Sequence, residues 1–181
     1  LSLVVDRELG QAAALNRALS VSVNLQTGSF KAFDEQARRV ENSDSTWIVV
    51  TDEGGNQLVN TRVPYGTPLP KKDPAAALLW PEMRQGRTIV SGLSHGALIE
   101  QPAIAVTTPV EAGGQVRYAL HFVMLPSVLN RILAEQELPE GWVGNILDED
   151  QNVVARSAGG EEMIGRKPGP AVASSLAKID N

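Results

Sequence analysis

Arg62 and Tyr65 carry the strongest recognition chemistry in this sequence. They stand in Asn60-Thr-Arg-Val-Pro-Tyr-Gly-Thr-Pro-Leu-Pro70, where Arg62 ends a strand-like run and Pro64, Pro68 and Pro70 brace the loop after it. A guanidinium at that place can fork onto a carboxylate or phosphate. A proline-braced loop would hold Tyr65 as a rigid wall with little entropy left to lose. No acidic residue lies between Gln57 and Lys72 to neutralise Arg62 locally, so the expected ligand is a small anionic molecule. The plainer alternative is that Arg62 pairs with an acidic residue of the helix at 30–41, or with loop carbonyls, and only pins the loop. Trp80, Ser91 and Tyr118 complete the candidate set, since a pocket is mostly apolar with a few polar groups and these three could line one concave side. Period-2 alternation puts Tyr118 and His121 on opposite faces of their strand, so both cannot face one pocket without a bulge.

Catalytic and metal chemistries find less support. His95 and His121 are the only histidines, and a catalytic zinc takes three protein ligands in most cases. His121 lies in an apolar strand and reads as a satisfied core or pocket histidine. Ser94-His95-Gly96 sets a hydroxyl beside an imidazole, but adjacent side chains do not generally point at each other, and no nucleophile elbow or dinucleotide fingerprint accompanies them. Asp148-Glu-Asp-Gln-Asn152 begins like a calcium loop and then fails, with Val153 where the sharp-turn glycine belongs. It reads as a hairpin turn. Without cysteine there is no disulfide, thiolate nucleophile or cysteine metal cage, which suits cytoplasm or periplasm alike. No catalytic residue, metal or cofactor is expected. Sixteen basic against 21 acidic residues leave a net charge of -5, and no basic run marks a nucleic-acid partner.

The elements that must position these residues follow from periodicity. Leu1, Val5, Leu9, Ala12, Leu15 and Leu19 recur at three and four, predicting one long amphipathic helix over 1–23. Gly28 breaks the pattern, Ser29 is a weak N-cap, and Phe30, Phe33, Ala37 and Val40 predict a second helix to about 41. Thr46-Trp-Ile-Val-Val-Thr-Asp-Glu-Gly-Gly-Asn-Gln-Leu-Val-Asn-Thr-Arg62 predicts a β-hairpin. A near copy follows at 141–157. Aligning Asp52 with Asp148 and Asn56 with Asn152 gives an offset of about 96 residues, too long for a solenoid period and suited to two copies of one small domain. Asp73 and Pro74 predict a short helix that Pro81 ends. Strands are expected over 88–93, 103–110 and 116–124, the last two joined through Gly113-Gly114, and a helix over 127–137. The sum is an α+β layer, a five-stranded antiparallel sheet with helices on one side.

With that lobe in place, the sequence resembles the double-Cache extracytoplasmic sensor region of bacterial sensor histidine kinases, in particular those with HWE-type kinase cores. The residues that carry the resemblance are Ile48 to Arg62, the run from Pro64 to Pro70, Val90-Ser-Gly-Leu93, Ile104-Ala-Val-Thr-Thr-Pro-Val110, Ile146-Leu-Asp148, Val154-Ala-Arg-Ser157 and Ile164-Gly-Arg166. The resemblance implies a PAS-like sheet in the periplasm, between two transmembrane helices that lie outside this chain, with any kinase chemistry elsewhere. It divides the chain into an N-terminal helical region (1–45), a membrane-distal Cache lobe (46–138) and the start of a second, incomplete, membrane-proximal lobe (139–181). It does not imply an amino-acid ligand, because the aromatic, Arg and Asp set of amino-acid-binding Cache domains is not found.

Two functions remain in play at this level. One is a ligand-sensing input domain of a membrane receptor, with a stripe along 1–19 that could pack on its own domain or on a second subunit's copy in a parallel homodimer. The other is a structural or dimerising module whose pocket is vestigial and whose signal comes from a partner protein. A filled, all-apolar first lobe would favour the second.

Overall fold

The computed structural model describes residues 2–41, 43–71, 74–96, 98–99, 101–159 and 161–169. The expectations placed on Leu1, on Asp73 and on the last residues of the 139–181 segment lie outside them. The chain runs through α1 (Ser2–Ser20), α2 (Val23–Gln26) and α3 (Phe30–Val40) before entering the first hairpin, β1 (Thr46–Asp52) and β2 (Gln57–Asn60). Then come α4 (Pro74–Leu78), α5 (Trp80–Met83), β3 (Ile89–Val90), β4 (Ser94–His95), β5 (Pro102–Ala112), β6 (Gln115–Met124) and α6 (Pro126–Ala134). A second hairpin, β7 (Asn145–Leu147) and β8 (Val153–Arg156), comes last among the strands.

The long helix stops at Ser20, three residues short of the expected end. Thr27 to Ser29 close α2 with Gly28 at φ 73°, where a side chain would be strained. The Gly28 and Ser29 amides donate to the carbonyls of Leu25 and Asn24, which satisfies the helix end in the double-bonded glycine pattern. The short helix begun at Pro74 ends at Leu78, ahead of Pro81, and Pro81 stands in the first turn of a second one. A proline lacks only a donor that the first helical turn leaves unused, so the break falls at Leu79 and α5 begins at Trp80.

The five-stranded antiparallel sheet is present, in the order β2-β1-β6-β5-β3, with the short β4 pairing the same edge of β5 further along. β1 pairs β6 without interruption from Thr46↔Met124 to Asp52↔Tyr118, and β5 pairs β6 with a bulge at Val110/Glu111. Alternation then sorts the side chains to two faces. Ile48, Val50, Val106, Val110, Leu120 and Met124 face the helices and are fully or almost fully buried with Leu25, Phe33, Ala37, Leu129 and Leu133. The opposite face carries Trp47, Val49, Thr51, Thr107, His121 and Val123. Among the described residues no helix packs along its centre, and the site is built there.

Along α1 the stripe packs, from Leu9 onward, on its own domain. Ala12 and Leu19 are buried in the main core, and Leu9 and Leu15 pack against it. Leu19 is 3% exposed. Asn16, on the same face, reaches the sheet with its amide nitrogen donating to the carbonyls of Val106 (2.7 Å) and Leu120 (3.1 Å).

The two hairpins are copies in geometry as well as in sequence. Asp52 accepts from the Asn56 backbone and side chain, as Asp148 does from Asn152. Both ladders shift register at the same place, Val50/Thr51 and Ile146/Leu147. The left-handed turn residue is Gly55 (φ 75°) in the first and Gln151 (φ 60°) in the second. Even the tether of the following loop recurs, Gln57 N–H to the Pro70 carbonyl and Val153 N–H to the Arg166 carbonyl. Val154 and Ala155 of β8 join the main core cluster that also holds α6.

Candidate functional site

The exposed-side face of the sheet is apolar at both ends and polar in the middle. At one end Trp47, Val49 and Ala103 cluster with Ile99 and Val123. At the other Trp80, Met83 and Ala119 cluster with Leu79 and Ile89. Between them His121 is held by two threonine hydroxyls, Nε2 to Thr51 Oγ1 at 2.9 Å and Nδ1 to Thr107 Oγ1 at 2.8 Å. A hydroxyl can donate or accept, so this arrangement satisfies either neutral tautomer and the imidazolium as well. All three residues are buried.

Above this floor lies a cleft of about 590 Å³, walled by Ser91 to Ser94, by Gly96, Leu98 and Ile99, by Leu78 and Leu79 and by the turn residues Glu149 and Asp150 of the second hairpin. That size suits a small organic ligand. Leu78 stands at the mouth with 79% of its surface exposed. The wall at 91–93 is fixed from two sides. Ser91 bonds Ala105 twice, its N–H to the Ala105 carbonyl at 2.8 Å and the Ala105 N–H to its side-chain Oγ at 2.9 Å. Leu93 N–H donates to Asp148 Oδ2 at 3.3 Å, and a Cβ on Gly92 would come within 3.2 Å of the same carboxylate. Gly92 is therefore where the second hairpin's tip closes on the cleft wall. Burial pushes the Asp148 carboxyl up, but the Asn152 backbone and side-chain donors and the Leu93 and Asp150 amides outweigh it and hold the group below its ordinary 3.8.

Two of the five sequence-predicted residues line this cleft. Ser91 does so with its hydroxyl engaged in the wall. Arg62 stands at the rim, its guanidinium 5.3 Å from the centre of the Trp47 ring and one nitrogen donating to the Asp44 carbonyl. That carbonyl contact fits the plainer alternative for Arg62, and Arg38 holds the backbone just before the braced loop. It forks onto Asp34 (2.7 and 3.0 Å) and donates to the carbonyls of Thr61 (2.7 Å) and Val63 (2.5 Å). Tyr65 is 49% exposed and lines a separate, smaller hollow of about 160 Å³ over Asp34 and Leu58. Trp80 packs at the end of the cleft face on Ala119 without lining the cavity. Tyr118 is on the helix side, edge-on to Phe30 with ring centres 5.5 Å apart, opposite His121 as alternation requires. Missed by the sequence reading as site residues were Trp47, Thr51 and Thr107. The period-2 pattern that separated Tyr118 from His121 also assigns Thr107 and Thr51 to the cleft face once the strand pairing is known.

No protein-family model matches the chain, and no curated protein matches it in sequence. Its fold is shared by solved structures. The ligand-binding domain of the Campylobacter jejuni chemoreceptor Tlp3, in complex with 4-methylisoleucine, aligns over 97% of this chain and 72% of that one at TM-score 0.65 and 12% identity. The sensor domain of the V. cholerae histidine kinase DctB aligns over 98% and 70% at TM-score 0.65 and 14% identity. The ligand-binding domain of the Pseudomonas fluorescens chemoreceptor CtaA, in complex with L-serine, aligns over 98% and 75% at TM-score 0.61 and 14% identity. At such identities the likeness is one of fold, the Cache-like α+β fold of receptor sensor domains. All three neighbours are ligand-binding or sensor domains. Among the described residues no helix is long and apolar enough to cross a membrane.

Proposed function

We propose that this chain is the extracytoplasmic ligand-sensing domain of a membrane receptor, and that the cleft over Thr51, His121 and Thr107 is its small-molecule site. The carrying observation is the cleft itself. A vestigial lobe would be filled and apolar, whereas this one holds about 590 Å³ of space over a polar floor. The partner-protein reading has no such observation in its favour. Within the proposal, a periplasmic sensor histidine kinase of the double-Cache, HWE type is supported by the Asn60 to Pro70 run, with 46–138 as the distal lobe and 139–181 as the start of the proximal one.

Arg62 on the Trp47 face supports a ligand with a carboxylate-like group, since one nitrogen meets the Asp44 carbonyl and the planar group still offers other donors to the cleft. Neighbouring domains include ones in complex with 4-methylisoleucine, L-serine and GABA, so amino acids belong in the screen beside simple carboxylates. A thermal-shift panel of standard amino acids and short mono- and dicarboxylates tests the proposal. A compound at 100 times its dissociation constant contributes about 2.7 kcal/mol, a rise of roughly 5–10 °C for a chain of this size. Arg62→Lys should then weaken an anionic hit although the charge is kept, and an unchanged affinity would remove Arg62 from the site.

A further inference from the structure

Asn16 is fully buried on the apolar face of α1, between Ala12 and Leu19. Its amide nitrogen uses both protons on the sheet, on the Val106 carbonyl at 2.7 Å and the Leu120 carbonyl at 3.1 Å, while Oδ1 is buried without a partner. An unpartnered buried oxygen is costly, and an apolar side chain of similar size would avoid the cost. A polar group kept in such a place specifies an arrangement more than it adds stability.

The arrangement it specifies lies behind the cleft. Val106 and Leu120 immediately precede Thr107 and His121, which are partners across β5 and β6. The two carbonyls that Asn16 grips therefore belong to the peptide groups leading into Thr107 and His121. On the other face of the same two peptides stands the 2.8 Å contact between the Thr107 hydroxyl and the His121 ring. Apolar packing tolerates a small tilt of a peptide, but hydrogen bonds weaken steeply away from linearity. We propose that Asn16 is a positioning residue, through which the state of the Thr107 and His121 floor sets the placement of α1.

The purpose of this coupling rests on the sensing function proposed above, but its test needs no ligand. A cycle of Asn16→Leu and Thr107→Val in the 181-residue chain, followed by amide hydrogen exchange, measures it. Thr107→Val removes the floor contact at nearly constant volume on the face away from α1. The readout is the exchange rate over residues 9–20 of α1, divided by that over α3, which takes neither of the two Asn16 hydrogen bonds, so that a change in global stability cancels. With Asn16 present, Thr107→Val should change that ratio at least roughly threefold, the scale of coupling within one hydrogen-bond network. In the Asn16→Leu background it should change little. An equal change in both backgrounds, or none with Asn16 in place, overturns the proposal. Should Asn16→Leu not fold, Asn16→Ser enters the same cycle with the same two outcomes. Failure to find any ligand would count against the sensing function and leave this coupling measurable, whereas additive exchange would sink the coupling and leave sensing untouched.

Discussion

His121 is held by hydroxyls from two other strands, and Arg38 is expected to matter more to the fold than Arg62. His121→Leu strips the Thr51 and Thr107 hydroxyls of that partner in a buried place. Leaving such groups unsatisfied costs about 1–3 kcal/mol, so urea unfolding should show a loss of about 2 kcal/mol with the chain still folded. Arg38→Met leaves the Asp34 carboxylate, 2% exposed, without its fork. Breaking a buried pair from one side should cost about 3 kcal/mol. Arg62 is exposed, so Arg62→Met should cost under about 1 kcal/mol in the ligand-free protein. Equal losses for the two arginines would show that the assignment of their roles is wrong. From sequence alone the two could not be separated, because the choice depends on which guanidinium the turn of α3 aims at the loop carbonyls. His121 escaped assignment for a similar reason. Its partners are set by strand pairing, and neither threonine is near it in the chain.

At the scale of elements, what was legible was periodic or punctuated. The hairpins follow from Asp and Asn at fixed spacing about a tight turn, and their offset reproduces in register, bulge and loop tether. The cleft wall was not legible, because β4 is two residues long and Glu149 and Asp150 arrive from the second hairpin. That hairpin carries two tests. Gln151 occupies the left-handed region where its counterpart is Gly55, and a side chain there costs about 1–2 kcal/mol against partial recovery in chain entropy. Gln151→Gly should therefore raise stability by about 0.5–1 kcal/mol in thermal unfolding, while Gly55→Ala should lower it. The second test uses acid. Because the folded Asp148 carboxyl lies below its ordinary 3.8, the unfolded chain takes up that proton first. Its contribution is present above the ordinary value and lost as pH falls through the folded one. Asp148→Asn should lower stability at neutral pH and remove that part of the acid dependence. An unchanged acid profile would mean that the tip is not held through this carboxylate.

Over the whole molecule, one core runs from α1 through the sheet to α6 and β8, and the helix stripe that could have served a second subunit is largely spent inside it. A chain so organised leaves one broad face of its sheet to ligands, and the central claim is that a small molecule binds there. Calorimetry of the strongest compound from the carboxylate and amino-acid panel, run on the parent chain and on Ala105→Leu, tests this most directly. Ala105 lines the cleft, so a leucine there fills space on that face. Sensing through this cleft predicts measurable heat with the parent chain and its loss, by at least about tenfold in affinity, in an Ala105→Leu chain that melts as a folded protein. Binding that survives Ala105→Leu unchanged, or a panel in which no compound shifts the melting temperature, would contradict it.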